Sequence, residues 1–153
     1  MGSLPLHPAV VHFPIAFGVV APIFTLLVWL LIKRGHVSRL AWWAVVIIHA
    51  LSAGSGALSM KLGEREEERV EKIVGKESIH EHEESAEAFV KTSLGTLGFS
   101  AVSLFLPAGT LLEVGRSVVV LGSGVAAGFV LNAGHSGGEL VYEKGAARAY
   151  ETR

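Results

Sequence analysis

The stretch Pro8 to Ile32, PAVVHFPIAFGVVAPIFTLLVWLLI, carries no Lys, Arg, Asp or Glu. At 1.5 Å of rise per residue, about 20 residues of helix cross a hydrocarbon core roughly 30 Å thick. Three more stretches lack the same four residue types: Leu40 to Met60, Thr92 to Leu112 and Ser117 to Gly138. Together they predict an all-α fold, a transmembrane four-helix bundle with spans at about 8–32, 40–61, 88–108 and 115–136. The first stretch is a poor secretory leader. No basic segment precedes it, it is longer than an h-region, and Pro14 and Pro22 interrupt it with no small-residue cleavage site near its end. It is expected to be retained as a span, with residues 1–153 forming one membrane domain.

Composition agrees. Of 153 residues, 50 % are hydrophobic and only 18 % charged, against about 25 % charged in ordinary soluble domains; mean hydropathy is +0.49. All 14 acidic residues are Glu, and ten of them lie between Glu64 and Glu87. This segment, GEREEERVEKIVGKESIHEHEESAEAF, reads as an extra-membrane helical loop over about 62–87, with Glu68 and Lys72 paired at i, i+4. Gly75 is expected to break it. Ser78 is expected to cap a second helix that runs through His80 and His82 into the third span.

Thirteen Lys and Arg against 14 Glu leave no basic surplus, so membrane lipid, not nucleic acid, is the expected partner. Cysteine is absent. That excludes disulfides, thiolate-held zinc, cysteine-held iron–sulfur clusters, covalent c-type haem and a Cys nucleophile. No phosphate loop follows a strand and no nucleophile elbow is present, which speaks against a hydrolase or transferase. Four spans place both termini and the acidic loop on one face, opposite Lys33 to Arg39 and the turn around Pro107 to Arg116. Basic residues are divided between the faces, and the expectation adopted is a multi-pass protein of the cell membrane with its termini outside.

Histidine, with seven copies, is the one strong nitrogen ligand available, and an ionisable residue in or beside a span is a functional candidate by default. His12 sits in apolar surroundings beside Pro14; it is read as a ligand, the alternative being a hydrogen bond to the carbonyl that the proline frees at Val10. His135 ends the fourth span above Leu131, Gly128, Gly124 and Leu121, a flat face suited to a porphyrin edge, or else it serves the helix C-terminus electrostatically. His82 shares a stripe with Ala86, Phe89, Ser93 and Thr96 and points inward, whereas His80 shares one with Glu84 and Glu87 and points to water. His49, mid-span and without a histidine at matching depth, reads as a buried hydrogen-bonding group or a weaker ligand. His7 lies at the interface as another weaker ligand, and His36 lies in the basic loop.

His12, His82 and His135 on three helices form the expected ligand set for haem b. Gly124 and Gly128 would flank the macrocycle, and Tyr142, Lys144 and Arg148 would be available to propionates. Two imidazoles saturate the iron and suit electron transfer more than oxygen activation. The reading is an integral membrane b-type cytochrome, an electron carrier or subunit working with a quinol and a haem or iron–sulfur partner. One alternative is a cofactor-free structural or assembly subunit of a membrane redox complex. Another is a zinc or copper site built from His80, His82 and nearby Glu. Small-residue faces such as Ala50 with Gly54 and Gly124 with Gly128 also leave room for a homo-oligomer.

LHPAVVHFPIAF at residues 6–17, GHSGGELVYEKG at 134–145, and the pair His82 and Glu83 between them resemble the DUF2231 family of four-span bacterial and archaeal membrane proteins. The resemblance covers essentially the whole chain. It implies a redox setting, since members are sometimes joined to Rieske or c-type cytochrome domains, and it favours the histidine face outside. The family pattern often has histidine where this chain has Lys144.

Overall fold

The computed structural model describes residues 5–151, which are mostly helical, with no strand among them. In chain order the helices are α1 (His7–Val10), α2 (His12–Lys33), α3 (Trp42–Glu64), α4 (Glu67–Val74), α5 (Lys76–Val102) and α6 (Thr110–Tyr142), with 3-10 turns at Arg39–Ala41 and Ala146–Tyr150. The four long helices close a ring in which α2 packs on α3, α3 on α5, α5 on α6 and α6 on α2.

Among the described residues, three stretches are long and apolar enough to cross a membrane: His7–Lys33, Arg39–Glu64 and Thr110–Tyr142. The fourth bundle helix, α5, differs because charges from Lys76 to Lys91 occupy its first half. It also ends at Val102, short of the expected 108. The charge-free run Thr92 to Leu112 therefore includes a turn, and Pro107, which lacks an N–H, cannot continue a helix. Even so, α5 accompanies α6 from end to end. A methyl group on Gly115 would meet Ser103, one on Gly122 would meet Thr96, and one on Gly137 would meet His82.

The packing inverts that of a soluble protein. Thr25, Ser52, Ser93, Thr96, Ser100 and Ser123 are buried, while Ile23 and Leu121 are each 70 % exposed. Apolar side chains directed outward are what hydrocarbon solvates, and small residues inside let backbones approach. Three of these hydroxyls are satisfied within their own helices: Thr96 donates to Thr92 O at 2.7 Å, Ser100 to Leu97 O at 2.8 Å and Ser123 to Val120 O at 2.8 Å. Thr25 lies against His49 of α3, and Ser93 Oγ has no partner among the described residues. At the centre, the Phe89 ring of α5 fits between Gly18 of α2 and Gly56 of α3.

Gly75, at φ +82°, separates α4 from α5, because a positive φ strains any residue with a Cβ. The helix then restarts at Lys76, two residues ahead of the expected Ser78 cap. The acidic α4 is held against the C-terminal turn by a hydrogen bond from Tyr150 Oη to Glu66, and Arg69 lies 5.6 Å over the Tyr150 ring.

Candidate functional site

Side chains at the bundle end that carries the termini are placed by helical phase along the first apolar stretch, in which Val11, between α1 and α2, keeps helical dihedrals. Helix α1 stops at Val10 and α2 starts at His12. The inward face of α2 is marked by the buried residues Pro14, Gly18, Ala21, Thr25 and Val28. His12 precedes Pro14 by two residues, about 200° around a helix, and is exposed. His7, on α1, turns inward instead. Its Nδ1–H donates to Ser59 O of α3 at 2.9 Å.

From α5, His82 enters the same end. Its Nδ1–H donates to Ala133 O of α6 at 3.0 Å and lies 3.2 Å from Ser136 Oγ. The two imidazole rings have centroids 6.3 Å apart and planes at 87°. A carbonyl only accepts, so each Nδ1 carries its proton and the neutral ring presents a bare Nε2 lone pair. Glycine makes room for both rings: a Cβ on Gly63 would lie 3.3 Å from His7 Cε1, and one on Gly137 would lie 3.1 Å from His82 Cε1. Burial, and then the neighbouring His7, pushes the pKa of His82 below its ordinary value, against the opposing pull of the Ala133 carbonyl. The neutral form is thereby favoured.

The other candidates lie elsewhere. His135 has a 77 % exposed side chain and contacts Glu139 at 3.1 Å. Gly124 and Gly128 are exposed on the same outer side of α6, with nothing within 4 Å of a would-be Cβ. Thus the structure does not bring His12 or His135 to His82. His49, 2 % exposed, has Nε2 at 3.2 Å from Thr25 Oγ1 in the middle of the bundle. His80 pairs with Glu84 at 3.2 Å in solvent. Tyr142 is exposed, and so is Lys144, whose Nζ donates to Ser78 Oγ at 2.8 Å, one turn of α5 before His82. Among the described residues, no group of three or more His, Cys, Asp or Glu side chains could hold a metal ion.

The His7–His82 pairing is the feature the sequence left in the background. Its signal was the stripe Pro14, Gly18, Ala21 and Thr25, which fixes the inside of α2 and so places His12 outside.

A family model described as "Predicted membrane protein (DUF2231)" matches residues 3–149, nearly the full chain. The chain belongs to the DUF2231 family. Its three long apolar helices and inverted packing agree with a multi-pass membrane protein. No curated protein and no solved structure matches this DUF2231 chain.

Proposed function

We propose that this DUF2231 protein is a b-type cytochrome of the cell membrane, with haem held by His82 and His7 at the bundle end that bears both termini. The observation that carries this reading is the pair of imidazoles itself: two rings from different helices, each fixed through Nδ1–H by a main-chain carbonyl, each with Nε2 free. A carbonyl on the far nitrogen fixes the tautomer and raises the basicity of the ligating one, as it does for histidines around metals.

The two imidazoles, from α1 and α5 with ring centres 6.3 Å apart, would be the nitrogen ligands offered to one iron. The donor count favours haem over zinc or copper, because a porphyrin supplies four of the six donors and asks the protein for two, whereas a structural zinc site takes four protein ligands. When bound, the haem would supply a one-electron couple, suited to exchange with a quinol or with a Rieske or c-type cytochrome partner. The chain itself holds the rings, favours the neutral form of His82 by burial and ties Lys144 to Ser78, one turn of α5 before His82, where its ammonium would be available to a propionate. His12 and His135, with Gly124 and Gly128, belong to the outer faces of α2 and α6 and would serve only a group bound there. The termini are assigned to the outside.

Titration of the detergent-purified apo-protein with haem tests the assignment. Wild type is expected to give a six-coordinate low-spin spectrum at one haem per chain, and His7→Ala or His82→Ala a five-coordinate high-spin one. A low-spin spectrum retained in both variants removes the proposal.

A further inference from the structure

The opposite end of the bundle, where α2 joins α3 and α5 joins α6, differs in chemistry from the histidine end. A cavity of about 440 Å³ is lined by Arg39, Arg116, Trp42, Trp43, Phe105 and Leu106, among others. Arg116 is only 3 % exposed. Its Nη1 reaches Glu113 Oε1 at 3.3 Å and its guanidinium centre lies 4.9 Å over the Trp42 ring, yet its buried Nε–H has no acceptor in the protein. A buried guanidinium donor is rarely left unmatched, because desolvating it without a partner is costly.

The surroundings state what the missing acceptor is. Lys33, Arg34, Arg39 and Arg116 stand against Glu113 at this end, a surplus of positive charge. Glu113 is itself engaged, since its Oε2 accepts from Trp29 Nε1 at 2.8 Å. Arg39 spends one donor on Leu106 O at 2.7 Å and retains others. Around the cavity mouth Leu40, Trp43 and Phe105 are exposed, an aromatic and apolar rim of the kind that sits at a bilayer surface. Two guanidinium groups inside an apolar rim match an oxyanion, for which their forked donors are suited.

We propose that this cavity binds a phosphate oxyanion, held by Arg116 and Arg39 and presented either by an anionic lipid headgroup or as the free anion. The site is independent of the histidine pair. Trp29, Trp42 and Trp43 are the chain's three tryptophans, and two of them line the cavity, so tryptophan fluorescence reports on it. The detergent-solubilised full chain is titrated with tail-brominated phosphatidylglycerol and, separately, with diacylglycerol carrying the same tails and no phosphate.

Quenching by the phospholipid is expected at a concentration roughly tenfold lower, with the preference lost in Arg116→Met and in Arg39→Gln. The second residue is exposed, so its variant tests the site even where Arg116→Met fails to fold. Relief of quenching by inorganic phosphate assigns the free anion as a sufficient ligand; persistence of quenching assigns the headgroup. Equal quenching by the two lipids, or a preference that survives Arg39→Gln, overturns the proposal.

Discussion

His7 and His82 meet at right angles with ring centres 6.3 Å apart, and neither belongs to the helix that anchors it. Ser59 of α3 holds the first and Ala133 of α6 the second. Side chains of α1 and α5 and main-chain carbonyls of α3 and α6 thus hold this pair of rings at one end of the bundle, in a chain whose other buried polar groups are mostly small hydroxyls.

Lowering the pH acts on this pair. An unfolded histidine titrates near 6.5 and a folded His82 below it, so between those values the unfolded chain binds more protons. The contribution of His82 to stability is full above the unfolded pKa and is lost as pH falls through the window beneath it. The melting temperature of the purified protein is expected to drop below about pH 6.5, and more steeply than that of His82→Gln. Parallel curves for the two proteins would contradict the burial of a neutral His82.

Glycines on the inner face should respond to a methyl group and those on the outer face should not. At Gly18 a Cβ would approach Val130 Cγ1 to 2.8 Å and Phe89 Cε2 to 3.0 Å, and at Gly56 it would approach Phe89 Cε1 to 2.8 Å. Overpacking of this kind costs about 1–3 kcal/mol, so Gly18→Ala and Gly56→Ala should each lower the melting temperature by several degrees. Gly124→Ala and Gly128→Ala meet nothing within 4 Å and should leave it unchanged. Thermal unfolding of the four variants in one detergent checks the contrast.

Thr25→Val removes the hydroxyl opposite His49 Nε2 while keeping nearly the same volume. A ring nitrogen buried without a partner costs about 1–3 kcal/mol, and a loss in that range is expected from reversible unfolding. The double variant Thr25→Val with His49→Leu should recover part of the loss, since no orphaned polar group then remains. Strict additivity in the double-mutant cycle would show that the two residues do not interact.

Tyr150→Phe deletes the hydroxyl that bonds Glu66. The expected result is local: faster amide exchange in Ala146–Tyr150 and in α4, with a change of about 1 kcal/mol, and no change in α2 or α3. Uniformly faster exchange would mean that the C-terminal turn is coupled to the whole bundle.

Much of the architecture is legible from charge alone. The long uncharged runs Pro8 to Ile32, Leu40 to Met60 and Ser117 to Gly138 fall within α1 to α2, the first turn through α3, and α6. Thr92 to Leu112 misleads at its end because absence of charge does not distinguish helix from turn; Pro107 and Gly109 carried that information. The inward direction of His82 follows from its stripe with Phe89, Ser93 and Thr96, all three buried. Helical phase also places His12 and His135 outside, once Thr25 and Ala133 are taken to mark the interior in place of large apolar residues. In a membrane bundle the large apolar side chains face outward, so periodicity of hydrophobicity points to the wrong side. His7 lies seven residues before Pro14 and so continues the inward stripe of α2, Val11 between them keeping helical dihedrals. What the sequence does not state is that this stripe and that of His82 meet at one end of the bundle.

The account rests on those two imidazoles as ligands of one haem, and a reduced-minus-oxidised optical spectrum of the protein purified from haem-supplemented cells tests it most directly. The prediction is a Soret band with the sharp α band of a low-spin b-type centre, absent from the His7→Ala, His82→Ala double variant. No Soret band in wild type, or an unaltered one in the double variant, would contradict it.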